Sequence, residues 1–134
     1  MWMLDTNICS YVLRRHPLTV KAHFDQVGSQ HLAISTIVLA ELLFGAERHP
    51  TKGLEIRRDI DDMTNRLAVI PWSARAADDY SRLRTFLERR GTPIGNMDMM
   101  IAAHALAENA VLVTNNLREF QRVPNLQAEN WMDD

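Results

Sequence analysis

The chain has a single cysteine, Cys9, and its only lysines are Lys21 and Lys52 among 134 residues. One thiol forms no internal disulfide, which fits a reducing compartment. There is no C-x-x-C, no H-E-x-x-H and no H-x-E followed by a cysteine pair, so the usual zinc frameworks are absent. Long apolar runs are missing too. The longest, Leu32 to Phe44, is too short to span a bilayer and contains Glu41. Asp5 interrupts the only apolar start, which argues against a signal peptide and for a cytoplasmic protein. Positive charge is also not in excess. The formal net charge is −2, unlike a generic phosphate binder, which is usually basic. A cluster of acids holding divalent cations would reverse the local sign, and arginine, which supplies most of the positive charge, suits bidentate phosphate contacts.

What remains is an ordinary globular composition, 46% hydrophobic and 24% charged, at a length that makes one domain over 1–134 and buries a real core. Met1 to Leu4 reads as a short buried strand that stops at Asp5, and a helix follows through Ile8, Val12 and Leu13. Thr19–Val27 is helical, ended by Gly28-Ser29. Leu32-Ala33-Ile34 is a second strand, with Ser35 capping a helix over Thr36–Ala46. Ile56, Ile60, Met63 and Leu67 form an amphipathic stripe in a helix over Thr51–Arg66, a stripe equally suited to the core or to a second subunit. Leu67–Ile70 is the third strand. Ser73 caps a helix with the stripe Ala76, Tyr80, Leu83 and Leu87, closed by Arg89, Arg90 and Gly91. A helix over Gly95–Asn109, a strand over Ala110–Thr114 and an edge strand over Gln127–Trp131 complete the chain. Such alternation specifies an α/β sandwich with a mostly parallel sheet of four to five strands flanked by helices.

Three acids sit in apolar surroundings. Asp5 lies where a strand hands over to a helix, the edge at which open α/β sheets bind ligands, although an aspartate there also serves as an N-cap. Glu41 interrupts Ile37–Phe44, apolar on nearly every face and so expected to be a buried helix. A carboxylate in such a place is salt-bridged, metal-bound or protonated. Asp98 precedes two turns of small and apolar residues, where it also complements the helix dipole. Thr114, Asn115 and Asn116 end the fourth strand, with Glu119 one turn later; Asn pairs there also form turns. A doubly wound topology brings these oxygen-bearing groups to one edge of the sheet. Such a cluster suits Mg²⁺, or Mn²⁺ as an alternative, hard ions that take oxygen ligands and keep several waters and assist phosphodiester cleavage.

These pieces resemble a PIN-domain ribonuclease of the VapC type, the toxin half of bacterial VapBC toxin–antitoxin pairs. The matching segments are Met3–Asn7, Ala40-Glu41-Leu42 with Gly45, Pro93–Asp98 running into Ile101–Leu106, and Leu112–Asn116 before Arg118-Glu119-Phe120. They span essentially the whole chain. The resemblance implies that Asp5, Glu41 and Asp98 are catalytic, that Asp5 and Asp98 hold the metal, and that Thr6 and Thr114 support them. It also implies Mg²⁺-dependent cleavage of RNA, a VapB-type antitoxin that blocks the site, and a homodimer. The Gly-Asn-x-Asp segment is similar to that of members cutting initiator tRNA in its anticodon region. One departure is Asn116, where many PIN domains carry a fourth aspartate. An amide ligates without charge, so a second metal is expected to be weaker or absent. Asn116 stands slightly ahead of Glu119 as the fourth group.

Other candidates are weaker. Cys9 and His104 are expected to be core residues, the histidine with a hydrogen-bond partner. Trp2, Trp72 and Trp131 are expected to anchor the core or an interface, and Arg14, Arg15, Arg89 and Arg90 to be solvated helix ends, some of them facing RNA. A haloacid-dehalogenase-type phosphotransferase would want an acid at Asn7. A receiver domain needs a lysine after the last core strand. The remaining alternative is a catalytically silent PIN-fold module that binds RNA or protein.

Overall fold

The computed structural model describes residues 1–132, so the last two positions of the expected single domain lie outside the described residues. Five short strands form one sheet: β1 (Trp2–Leu4), β2 (Leu32–Ser35), β3 (Ala68–Ile70), β4 (Val111–Val113) and β5 (Ala128–Glu129). Their order is β3-β2-β1-β4-β5 and every neighbouring pair is parallel. The chain therefore winds outward from β1 in one direction to β3, then crosses to β4 and β5. The crevice between the carboxyl ends of β1 and β4 is the switch point, where loops diverge and leave room for a ligand.

Among the described residues seven α-helices surround the sheet: α1 (Thr6–Arg14), α2 (Leu18–Val27), α3 (Thr36–Arg48), α4 (Gly53–Thr64), α5 (Ala74–Arg90), α6 (Asn96–Ala107) and the single turn α7 (Leu117–Phe120). Their ends follow local chemistry. Ser35 and Ser73 accept hydrogen bonds from Ile37 N and Ala76 N and so start α3 and α5. Gly91 ends α5 with φ +70°, a left-handed conformation that suits a residue without Cβ. Short α7 has too few residues to show a helical period, which is why pattern reading passes over it.

The core runs through Met3, Leu4, Ile34, Leu112 and Val113 of the sheet and the inward faces of the helices. Ile60 and Met63 of α4 are buried, with Ile56 packed against them, so that stripe serves the core. Cys9 and Trp131 are buried as expected. Helix α6 is enclosed from Ile101 through Ala105. Two expectations need correction. Helix α3 is not buried all round: Val38, Leu42 and Ala46 face inward at four-residue spacing, whereas Ala40 and Phe44 face out. His104 is fully buried, yet neither ring nitrogen has a hydrogen-bond partner among the described residues. Its Nε2 lies 3.8 Å from Glu108 Oε1, beyond hydrogen-bonding distance, and burial lowers its pKa.

Because Ile34 is fully buried in β2, Ile34→Ala is expected to destabilise the protein by about 2–5 kcal/mol. Leu54→Ala, at an exposed α4 position, is expected to change stability by no more than about 0.5 kcal/mol. Urea midpoints for the two variants check both.

Candidate active site

The switch point is built from four separate stretches of chain. Asp5 follows β1 and is 5% exposed. Its Oδ1 accepts the Ile8 N–H at 2.9 Å, so it does cap α1, and capping fixes the carboxylate rather than explaining it away. Thr114, fully buried at the end of the neighbouring β4, hydrogen-bonds to Asp5. Burial raises the Asp5 pKa most; the bonds from Thr114 and Ile8 oppose it, and repulsion from Glu41 adds to it.

Glu41 arrives on α3, which packs against α1. Its Oε1 accepts the Thr6 hydroxyl at 2.6 Å. The arginine partner expected of a structural salt bridge is not there: among the described residues no ion pair involves Asp5, Glu41, Asp98 or Glu119. Asp98 stands in the first turn of α6. Its carboxyl is held well above the usual range, at about 7, first by burial, then by the hydrogen bond and charge of Glu119, then by repulsion from Asp5 and Glu41. The four carboxylates thus share one acidic pit.

Of the two residues weighed for the fourth place, Glu119 makes the closer connection. Its Oε1 accepts the Gly95 N–H at 3.1 Å, its Oε2 accepts from the Asn116 side-chain amide, and it touches Asp98. Asn116 is exposed and uses its amide to hold Glu119; its backbone N–H donates to Thr114 Oγ1 at 3.0 Å. Gly95 contributes its backbone N–H to the pit, and a Cβ added there would make only ordinary contact with Asp98 Oδ2, at 3.5 Å. Spacing alone did not reveal that role, although the Gly-Asn-x-Asp segment marked the neighbourhood.

The pit's donors suit a hard cation. They are oxygens, and among the described residues none of them is in an ion pair. No three acidic, histidine or cysteine side chains among the described residues are drawn together into a ready cage. Mg²⁺ needs none, since one or two carboxylates with retained waters hold it.

A model of the PIN domain matches residues 2–126 of the chain. The chain belongs to the PIN-domain family. Within that family it is 46% identical to Ribonuclease VapC2 of Rickettsia felis over 132 residues, 98% of each chain. It is 38% identical to the tRNA(fMet)-specific endonuclease VapC of Salmonella typhimurium, over 97% of each. Among solved structures, the complex of VapBC2 from Rickettsia felis with a promoter DNA fragment contains a chain that superposes with a TM-score of 0.90 at 45% identity, covering 97% of this chain and 98% of that one. This PIN domain is therefore a nuclease of the VapC type. Among the described residues, no helix is long and apolar enough to cross a membrane.

The burial of Asp98, together with the crowding of charge around it, has a measurable consequence. A carboxyl whose pKa is raised on folding binds more protons in the native state than in the unfolded chain between pH 4 and 7, so stability falls as pH rises through that window. In metal-free protein, Asp98→Asn is expected to raise Tm at pH 8 by about 4 °C, on the order of 1 kcal/mol once the effect is discounted for solvent screening of a half-buried carboxyl. The advantage should vanish toward pH 4. Taking the difference between variant and wild type cancels the opposite slope contributed by His104. A difference that stays constant from pH 4 to 8 would contradict a raised Asp98 pKa.

Proposed function

We propose that this VapC-type ribonuclease is a Mg²⁺-dependent endonuclease that acts on initiator tRNA in its anticodon region and is silenced by a VapB-type antitoxin. The observation carrying the metal dependence is the convergence of Asp5, Glu41, Asp98 and Glu119 without a cationic partner among the described residues. Likeness to the tRNA(fMet)-specific relative supports the substrate. Likeness to the chain within a VapBC complex supports the antitoxin.

In this reading Asp5 and Asp98 hold the ion, with Glu41 and Glu119 on the rim and Asn116 holding Glu119 in place. When bound, Mg²⁺ lowers the pKa of an attacking water and neutralises charge on the phosphate. The chain's own part is positional. Thr114 and the Ile8 N–H fix the Asp5 carboxylate. Thr6 donates to Glu41 Oε1 and leaves Oε2 free to accept from water or substrate. The Gly95 N–H keeps Glu119 against Asp98.

Protein freed of inhibitor is expected to cleave tRNA with Mg²⁺ and to stop in EDTA. Asp5→Asn and Asp98→Asn should each lower the rate on the order of 10²-fold or more, with unchanged circular dichroism, because asparagine at position 5 caps α1 as well as aspartate does and Asp98 caps no helix. Products should carry 5′-phosphate and 3′-hydroxyl ends. Full activity in EDTA or in either variant would remove the metal site, and a 2′,3′-cyclic phosphate would point to attack by the ribose hydroxyl.

A further inference from the structure

One side of the acidic pit continues into a cavity of about 650 Å³, whose lining includes Thr6, Asn7, Glu41, Phe44, Arg14 and Arg48. That volume is of the size that accepts a small organic group such as a nucleotide. Helix α3 supplies one wall. Glu41, Phe44 and Arg48 stand at i, i+3 and i+7 and so follow one another along a single face. The phenyl ring of Phe44 has no part in the core, being 64% exposed, and it is one helical turn from a carboxylate of the pit. The Arg48 guanidinium lies over this ring, 5.4 Å from its centroid. On α1, the Arg14 guanidinium lies in the same way over Tyr11, at 5.2 Å.

We propose that Phe44, with Arg48 resting on its ring, is a stacking platform for an unpaired RNA base next to the scissile phosphate. Single-stranded RNA is recognised by stacking splayed bases on aromatic rings and guanidinium planes, with cations on the backbone. This wall offers both, in a chain of net negative charge whose pit would otherwise repel RNA. Arg48 and Arg14 line the same cavity as Glu41, a cavity whose lining also holds Asp59, and they supply the positive charge that phosphates flanking the cleaved bond would meet. A paired base presents no free face, so the platform selects loops over helices, which is a specificity device rather than a general affinity patch. The proposal rests on the nuclease reading of the adjoining pit and deepens it by assigning the neighbouring base.

The test measures binding in EDTA, on an Asp5→Asn background so that nothing is cut, using two fluorescein-labelled RNAs: a tRNA anticodon stem-loop and a fully paired duplex of the same composition. Phe44→Ala is expected to weaken stem-loop binding about 5- to 100-fold and to leave duplex binding unchanged, and Phe44→Trp to restore it. In the Asp5 form with Mg²⁺, Phe44→Ala should act on KM more than on kcat. Phe44 is exposed, so an unchanged Tm verifies that the variant is folded. Equal stem-loop affinity in wild type and Phe44→Ala overturns the platform. So does a loss confined to affinity for the cognate antitoxin, which would make this wall a protein-docking surface. Absence of Mg²⁺-dependent cleavage in the wild type would defeat the nuclease reading and leave the binding result standing, so the two failures are told apart.

Discussion

Asp5 belongs to two hydrogen-bonding systems at once. Its N–H extends the ladder between β1 and β4 to the Val113 carbonyl at 3.0 Å, and its Oδ1 takes the Ile8 N–H that opens α1. A residue held from both sides cannot swing away from charge, and burial denies it the solvent that would screen that charge. The other acidic groups are set against this fixed point. Thr114 reaches it from the next strand, and its own N–H is tied to the Glu129 carbonyl at 2.9 Å, so β5 braces β4 where β4 braces Asp5.

The pit survives its own repulsion because its members belong to different, independently packed elements. Glu41 is carried by α3, whose inward residues Val38, Leu42 and Ala46 are all buried. Asp98 is carried by α6, enclosed from Ile101 through Ala105 and packed against α5. Neither helix relaxes far enough to separate the carboxylates without giving up apolar burial, which dominates folding free energy. Glu119 is the exception. Its α7 is one turn long, and the Gly95 N–H and the Asn116 amide do the holding that a longer helix would do by packing.

Much of this was legible in the residues. The parallel α/β sheet, all five strands and six of the seven helices follow from periodicity and caps, with ends displaced by a few residues. Asp5, Glu41 and Asp98 stood out because carboxylates in apolar runs demand partners. Glu41 stood out for a reason that was half wrong: α3 is apolar on most faces without being buried on most faces, and the outward face carries Phe44. Composition does not distinguish an apolar residue that packs from one left in water. Spacing put Asn116 only slightly ahead of Glu119, because it does not carry which side chain folds back toward Gly95. His104 shows the same limit, because burial is readable in a helix of small residues but the absence of a partner for its ring is not.

Both margins of the sheet are very short. β3 offers three residues and β5 two, which leaves few main-chain groups for an incoming extended segment to pair with. Assembly by adding a sixth strand is therefore disfavoured on either side. A partner that grips this enzyme firmly then relies more on side chains than on main-chain pairing, and selectivity for one such enzyme over another would be written in outward-facing residues rather than in the backbone that all of them share.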